Sequence, residues 1–219
     1  MSEITVHLSN LGKYAAGELT DTILVFPTTT EQVQAALQEI GVDGLRYEEI
    51  IITDISTDIP NLAFYLGEHD SLDELNYLAC RLQSLVPDER EKLTAAVHHG
   101  EYCGSLQDLI NLTYNLSCYD LFPKIKDVED YGRFLVDTRR EFTLPHKARF
   151  YFDFAQYGDD TVINEGGDMT PQGYIFNNRT PFQEIYNGYV PREYRVFQYP
   201  MEARAKNKRV KKEKTDLIR

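Results

Sequence analysis

The sequence predicts an α+β fold of three small domains in series, residues 1–60, 61–118 and 119–200, followed by a basic tail, residues 201–219. The first domain has short β-rich runs on either side of a capped helix, and the second has leucine stripes at helical spacing. The third mixes short β-rich runs with a helical segment and glycine-containing turns. With 219 residues and 42% hydrophobic content, the chain is long enough to bury a substantial core.

The first domain is predicted to be a small α/β unit. The β-rich runs Ile4–Leu8 and Thr22–Phe26 supply two strands, and Glu48–Ile55 supplies a third. Between them, a capping box over Thr28-Thr29-Thr30-Glu31 begins a helix, and Gly41 stands where that helix would end. The predicted buried face of this helix consists of Val33, Ala36, Leu37 and Ile40.

The second domain is predicted to be a cluster of three short helices. A second capping box, Ser71-Leu72-Asp73-Glu74, begins the first of them. Pro87 suits the first position of the next, and Ser105 with Asp108 marks the start of the third. The short connections between these helices favour an antiparallel arrangement.

The third domain is predicted to combine helices and strands. A helix is expected over Asp127–Val136, and strands are expected over Arg149–Phe154 and Gln172–Phe176. A short helix over residues 180–188 and a last strand over Tyr194–Tyr199 complete the domain. The Lys-rich tail that follows has little apolar periodicity, and we expect it to be flexible.

Charge is distributed unevenly along the chain. The first 130 residues carry 23 Asp and Glu against 7 Lys and Arg, a net charge of −16, whereas residues 131–200 carry 9 against 8. Carboxylates in first helical turns suit the helix dipole, but this does not explain why so few bases follow in the last turns. So much charge of one sign repels itself, which indicates a surface that meets a positively charged partner.

Composition excludes several classes of protein. The N-terminus lacks the features of a signal peptide, and no run of about 18 apolar residues predicts a membrane span. Three cysteines, Cys80, Cys103 and Cys118, form an odd, unpatterned set that is typical of reduced thiols, so we expect a cytoplasmic protein. Glycine fingerprints for phosphates or dinucleotides are lacking, and no cofactor is expected.

The candidate catalytic and metal motifs are weak. His98-His99-Gly100-Glu101-Tyr102-Cys103 holds four metal-ligating residues, but their spacing fits no zinc pattern, so we interpret it as a polar helix end. Cys118 has no flanking nucleophile motif, which favours a small buried residue over a thiol hydrolase. Asp153, Asp159 and Asp160 do not match a calcium loop. A carboxylate-dependent hydrolase stays an alternative, since any two of the 35 acids could converge.

The basic tail leaves three interpretations open. It could bind nucleic acid, fold back on the acidic body of its own chain, or increase solubility. Because it lacks interleaved aromatic residues and any groove-reading motif, direct nucleic-acid binding is not expected.

A series of short segments forms a pattern along residues 3–200. In chain order they are Gly12-Lys13-Tyr14, Gly17-Glu18, Pro27-Thr28-Thr29, Asn76-Tyr77-Leu78-Ala79, Leu109-Ile110-Asn111-Leu112-Thr113, Cys118-Tyr119-Asp120, Tyr151-Phe152-Asp153-Phe154, Gly173-Tyr174-Ile175 and Tyr194-Arg195-Val196-Phe197. Together they resemble the ArdA antirestriction proteins. The Lys-rich tail departs from that family's acidic character.

The resemblance implies a non-catalytic inhibitor carried by a mobile element. Such proteins are elongated three-domain chains that form homodimers through their C-terminal domains. They imitate DNA with surface carboxylates and occupy the DNA-binding channel of the specificity and methyltransferase subunits of type I restriction–modification enzymes. Whether methylation is blocked together with restriction stays open at this point.

The resemblance does not fix individual mimic positions, so candidates are chosen by charge and expected exposure. They are Glu48, Glu49, Asp54, Asp58, Asp70, Asp73, Asp88, Glu89, Glu91, Glu101, Asp108, Asp127, Glu129 and Asp130.

The amount of charge suits a large DNA channel. Two chains without their tails hold 64 acidic residues, which would cover roughly 110 Å at about one charge per 1.7 Å of B-DNA axis. Their net charge of −34 would cover roughly 60 Å at the same density. The alternative is an acidic interaction module for another basic partner, such as a transcription regulator or a histone-like protein.

Overall fold

The computed structural model describes residues 3–200 and confirms a mixed α+β fold with two small antiparallel sheets. The chain divides into two compact units, and each draws on separate stretches of sequence. Unit 1 comprises residues 3–84, 105–110 and 186–200 of the described chain, and unit 2 comprises residues 85–104 and 111–185. The arrangement as three domains stays a prediction, and the basic tail lies outside the described residues.

Unit 1 is built on a three-stranded antiparallel sheet. Its strands are β1 (Ile4–Asn10), β2 (Asp21–Phe26) and β3 (Ile50–Thr57), in the order β2-β1-β3. Exposed and buried residues alternate along β2, so that Ile23 is exposed while Leu24 is buried. This alternation has the period of two of a strand with one face toward the core, and it confirms the strand that the β-rich run predicted.

Three helices accompany this sheet: α1 (Leu11–Ala15), α2 (Thr30–Glu39) and α3 (Leu72–Ser84). The capping box of α2 lies one residue later than predicted. The Thr29 hydroxyl accepts the Gln32 N–H at 3.3 Å, and the Gln32 side chain accepts the Thr29 N–H at 3.0 Å. The N–H of Thr28, the predicted cap, instead donates to the Asn76 side chain at 2.8 Å.

Unit 2 contains the second antiparallel sheet. Its strands are β4 (Tyr119–Phe122), β5 (Asp168–Thr170) and β6 (Gly173–Asn177), in the order β4-β6-β5. The remaining helices of the described chain are α4 (Pro87–His99), α5 (Leu106–Leu112), α6 (Val128–Phe134) and α7 (Phe154–Glu165). A short π-helical turn, Leu135–Arg139, continues α6. The predicted starts of α4, α5 and α6 are confirmed.

The predicted strand Arg149–Phe154 is wrong. Ala148–Tyr151 forms a 3₁₀ turn, and α7 begins at Phe154. The Asp153 carboxylate accepts the Gln156 N–H at 3.0 Å and so caps the new helix. This local hydrogen bond overrides the β propensity of the three aromatic residues before Asp153.

The two elements predicted after residue 178 are also wrong. The backbone over residues 180–188 is held by side chains rather than by helical bonds, because Asn178 accepts the Thr180 N–H at 3.0 Å and Asn115 accepts the Gln183 N–H at 2.9 Å. Arg192–Tyr194 forms a 3₁₀ turn, and residues 195–200 pair with no strand among the described residues.

The core of unit 2 is rich in tyrosine. Tyr131 and Tyr174 are fully buried, and their hydroxyls donate to the same Glu165 carboxylate oxygen at 2.6 and 2.7 Å. Burial and then these hydrogen bonds to a negative group raise the pKa of both tyrosines. The aromatic rings thereby fill the core, and each buried hydroxyl has a partner.

Helices α6 and α7 approach each other through two glycines. A Cβ on Gly132 would lie 1.9 Å from the Phe154 carbonyl oxygen, and one on Gly158 would lie 1.8 Å from the Val128 carbonyl oxygen. Nonbonded heavy atoms do not approach each other so closely, so both positions require glycine.

Gly158→Ala should therefore destabilise the protein, by about 3 kcal/mol or more, since the two helices must move apart. Chemical denaturation followed by circular dichroism measures the change. Gly67→Ala is the control, because its Cβ would come no closer than 3.5 Å to the Asp70 carboxylate, which is an ordinary contact distance. Equal stability of the two variants would contradict the close helix contact.

Candidate acidic interaction surface

Acidic side chains in both units lie at the protein surface. Of the 32 Asp and Glu residues between positions 3 and 200, 24 are exposed, 8 are half-buried and none is buried. Unit 1 carries 16 acids against 5 bases over its described residues, and unit 2 carries 16 against 10. Both units are net negative, and the imbalance is larger in unit 1.

The exposed candidates of unit 1 follow strand β3. Glu48 and Glu49 immediately precede the strand, Asp54 lies on it, and Asp58 comes directly after it. At about 3.3 Å per residue, these four carboxylates extend over roughly 30 Å. The strand thus carries one exposed carboxylate, and three more flank its two ends.

The half-buried candidates of unit 1 contribute to the fold. One Asp73 carboxylate oxygen accepts the backbone N–H groups of Val196 and Phe197, both at 2.6 Å. Asp70 accepts the Gly67 N–H at 2.8 Å, and burial raises the pKa of its carboxyl group. Asp108 accepts the Ser105 hydroxyl at 2.8 Å at the start of α5.

In unit 2, six candidates lie at two helix starts. Asp88, Glu89 and Glu91 are exposed around the first turn of α4, where the Glu89 carboxylate accepts the Val86 N–H at 3.1 Å. The positive end of the helix dipole stabilises acids at this position.

The other three lie at the start of α6. Asp127 caps the helix by accepting the Asp130 N–H at 2.8 Å, and Asp130 accepts the Lys126 N–H at 3.2 Å. Glu129 pairs with Arg133 one turn later at 2.5 Å. Asp127 and Glu129 are exposed and Asp130 is half-buried.

Glu101, the last candidate, belongs to a polar network. Its carboxylate accepts the Asn177 amide at 2.8 Å and lies 3.7 Å from the Nε2 atom of His99. The other ring nitrogen of His99 lies 2.5 Å from Asp168. Helix α4 ends at His99, so the predicted polar helix end is confirmed.

This network borders a cleft of about 480 Å³ in unit 2. Tyr102 and Phe182 line it with stacked rings whose centroids are 3.9 Å apart. In the described part of the chain, no group of three or more His, Cys, Asp or Glu side chains could hold a metal ion. Among the described residues, Cys80, Cys103 and Cys118 form no disulfide bond, and Cys103 and Cys118 are buried.

Two features escaped the sequence analysis. The first is an aromatic turn, Ala148–Tyr151, where Phe150 is 79% exposed and Tyr151 is 91% exposed. The second is a C-terminal strap, defined as residues 186–200, which belongs to unit 1. An unbroken aromatic run marked the turn, but nothing local in the sequence indicated that Asp73 would bind the strap.

Asp73→Ala should loosen the strap and lower stability by about 1.5–3 kcal/mol, because two hydrogen bonds to a charged group are lost. Hydrogen exchange at the Val196 and Phe197 amides should become faster. Glu91→Ala removes an equal charge from an exposed helix position and should stay within about 0.5 kcal/mol of the parent. Unchanged exchange at those two amides would contradict the assigned role of Asp73.

The comparison with known protein families agrees with the earlier resemblance. The family model described as antirestriction protein (ArdA) matches residues 6–176, which is most of the chain. No curated protein matches at a significant level. Between residues 3 and 200, no helix has the length and apolar character needed to cross a membrane. The chain belongs to the ArdA family of antirestriction proteins.

Proposed function

We propose that this protein inhibits type I restriction–modification enzymes by imitating the phosphate charge and the shape of B-DNA. It occupies the DNA-binding channel formed by the specificity and methyltransferase subunits, and acts without catalysis or cofactor. Family membership supports an antirestriction function. The observation that carries the mechanism is the excess of carboxylates over bases, with none of the carboxylates of residues 3–200 buried.

The physics of DNA binding explains how such a surface inhibits. Much of the affinity of a DNA channel comes from contacts with phosphates, and these contacts carry no sequence information. A carboxylate carries one charge, as a phosphate does in DNA. A protein that presents carboxylates rigidly therefore competes with DNA in enzymes of different sequence specificity.

The fourteen candidate acids divide by exposure. We propose that the nine exposed ones contact the enzyme, and that the five half-buried ones add to the field while they hold the fold. The exposed set is Glu48, Glu49, Asp54, Asp58, Asp88, Glu89, Glu91, Asp127 and Glu129. The half-buried set is Asp70, Asp73, Glu101, Asp108 and Asp130.

The test is titration of the purified protein into a type I methyltransferase–DNA complex at about 0.1 M salt, where the Debye length is about 10 Å, and again at higher salt. DNA should be displaced near stoichiometric amounts, and displacement should fade as salt increases. The same titration, followed by methyl transfer, shows whether methylation is blocked. Absence of displacement at every salt concentration would refute the mechanism, and a pull-down would then identify another basic partner.

Neutralising the acids along β3 should weaken this competition. The triple variant Glu48→Gln, Glu49→Gln and Asp54→Asn should bind the enzyme about tenfold more weakly or worse, at about 0.5 kcal/mol or more per contact, and be less sensitive to salt. Displacement of labelled DNA measures the affinity.

The matched control removes three exposed acids outside the candidate set, by Asp159→Asn, Asp160→Asn and Glu184→Gln. It should retain most of the affinity. An equal loss in both variants would indicate that net charge matters and the position of the acids does not.

We also propose that two chains form a homodimer through the aromatic turn of unit 2. Soluble monomers rarely expose adjacent large aromatic side chains, and Phe150 and Tyr151 are largely exposed. Arg149 lies beside them and pairs with Asp137. Aromatic residues flanked by charge are typical of interface centres.

Phe150→Ser with Tyr151→Ser should weaken the dimer by about 2 kcal/mol or more, roughly thirtyfold, because buried aromatic anchors dominate interface energies. Sedimentation over a range of concentrations measures the dissociation constant. Phe64→Ser is the control, since this aromatic residue of unit 1 is 84% exposed and lies outside the proposed interface. A parent protein that stays monomeric at all concentrations would refute the dimer.

A further inference from the structure

Strand β2 forms one edge of the sheet of unit 1. It pairs with β1 from Asp21 to Phe26 in an unbroken antiparallel register, and no strand among residues 3–200 pairs with its other side. Alternate residues of an antiparallel edge strand direct their N–H and C=O groups away from the sheet. The edge of β2 therefore offers about six main-chain hydrogen-bonding groups over roughly 20 Å.

The edge lacks the features that usually keep an edge strand from pairing. Such strands carry lysine or proline, an inward-pointing charge or a bulge. The sequence of β2 contains no lysine or proline, and its one charge, Asp21, is exposed at its first residue, 3.5 Å from His7. The irregular register of this sheet lies on the other side, between β1 and β3. The edge is thus suited to accept an added strand.

A groove of about 320 Å³ lies at this edge, between β2 and α2. Residues 22–25 of the strand line one side of it. The other side consists of residues that share one face of the helix, among them Gln32, Ala35, Ala36 and Glu39. The middle of this face carries only methyl groups, which leaves space for side chains of a strand beside β2.

The two faces of an added strand have different surroundings. On the outer face of the sheet, Ile23 is 58% exposed and Val25 is 42% exposed, and they would contact side chains of the new strand. On the groove side, the Thr22 hydroxyl donates to the exposed Glu39 carboxylate at 2.6 Å and holds it beside the strand. The site therefore suits a segment with apolar residues on one face and basic residues on the other.

The charge of this region favours a basic occupant. Between Lys13 and Arg46 the chain has no lysine, arginine or histidine, but it has five acids, namely Glu18, Asp21, Glu31, Glu39 and Asp43. A second copy of the chain would bring the same acids against the edge, and nucleic acid would bring phosphates, so repulsion disfavours both. A lysine or arginine can lay its methylene groups over the alanines and keep its charge in water beside Glu39.

We propose that the edge of β2 and the adjoining face of α2 bind an extended basic segment of a partner protein by strand addition. Apolar residues of that segment contact Ile23 and Val25, and alternate lysines or arginines lie over Ala35 toward Glu39. In strand addition, main-chain hydrogen bonds supply affinity and alternate side chains supply specificity. This site goes beyond the proposed function, because it uses none of the fourteen candidate acids.

The test uses the purified full chain and a synthetic probe. The probe is a capped peptide of four Lys-Val repeats, which as a strand places valine on one face and lysine on the other. The control peptide has the same composition in two blocks, four lysines followed by four valines, so its charge is equal but the alternation is lost. Calorimetry at about 0.1 M salt should show saturable binding of the alternating peptide and about tenfold weaker binding of the control.

Hydrogen exchange followed by NMR locates the bound peptide. Exchange should become about tenfold slower at the alternate β2 amides that point away from β1, and should be unchanged along β3. No saturable binding, equal binding of the two peptides, or protection confined to other elements would each overturn the proposal. Protection of β2 that increases with protein concentration without peptide would identify a second copy as the occupant, and would also overturn it.

Matched variants separate the edge from overall charge. Ile23→Lys with Val25→Lys removes apolar contact and repels lysine, so the alternating peptide should bind about tenfold more weakly or worse. Ile163→Lys with Ile185→Lys adds equal charge at exposed positions of unit 2 and should leave the affinity within about twofold. All four residues are exposed, so both variants should fold, which circular dichroism checks. An equal effect of the two variants would contradict binding at the edge.

The site and the proposed function can fail separately. If the alternating peptide protects β2 but the protein never displaces DNA from a methyltransferase, the proposed function fails while strand addition stands. If DNA is displaced but the peptide does not bind, the proposal for β2 fails while the proposed function stands.

Discussion

Mutual repulsion among surface carboxylates is the constraint on which the rest of this structure depends. With 32 acids and 15 bases over residues 3–200, ion pairs alone cannot balance the charge. Hydrogen bonds from backbone N–H groups stabilise part of this negative charge. Asp43 shows this clearly, since one of its oxygens accepts three successive N–H groups, from Leu45, Arg46 and Tyr47, and these bonds lower the pKa of its carboxyl group. These hydrogen bonds favour the ionised form of the carboxyl group and fix its orientation.

Small hydrophobic cores must stabilise both units against this repulsion. Each sheet has only three strands, and unit 2 relies on tyrosines whose hydroxyls bind the single carboxylate of Glu165. Arg139 lies 3.7 Å from that carboxylate and partly balances it. Tyrosine suits a protein of this kind because its ring supplies apolar contact area and its hydroxyl donates a hydrogen bond to a half-buried carboxylate.

Local signals in the sequence were sufficient for the elements that local interactions stabilise. Strands β1 and β2 are rich in β-branched residues, α4 begins with a proline, and an aspartate caps α6, so the sequence predicts these elements correctly. The end of the strap was wrongly predicted as a strand over Tyr194–Tyr199, because the partner of Val196 and Phe197 is Asp73, more than 120 residues earlier in the chain. Here the Asp73 carboxylate binds N–H groups that a neighbouring strand would otherwise bind. Such a contact produces no hydrophobic periodicity in the sequence.

The acids of the candidate surface divide into those that the fold uses and those that stay accessible. Their number and sign follow from composition, but their availability depends on whether the fold uses them. Asp73 and Glu74 are half-buried and hydrogen-bonded to the strap. Asp73 accepts the N–H groups of Val196 and Phe197, and Glu74 accepts the Tyr186 hydroxyl. Glu48 differs, because the strap binds only its backbone carbonyl and leaves the side chain exposed. The strap thus occupies the carboxylates of Asp73 and Glu74, whereas the Glu48 carboxylate beside it stays accessible.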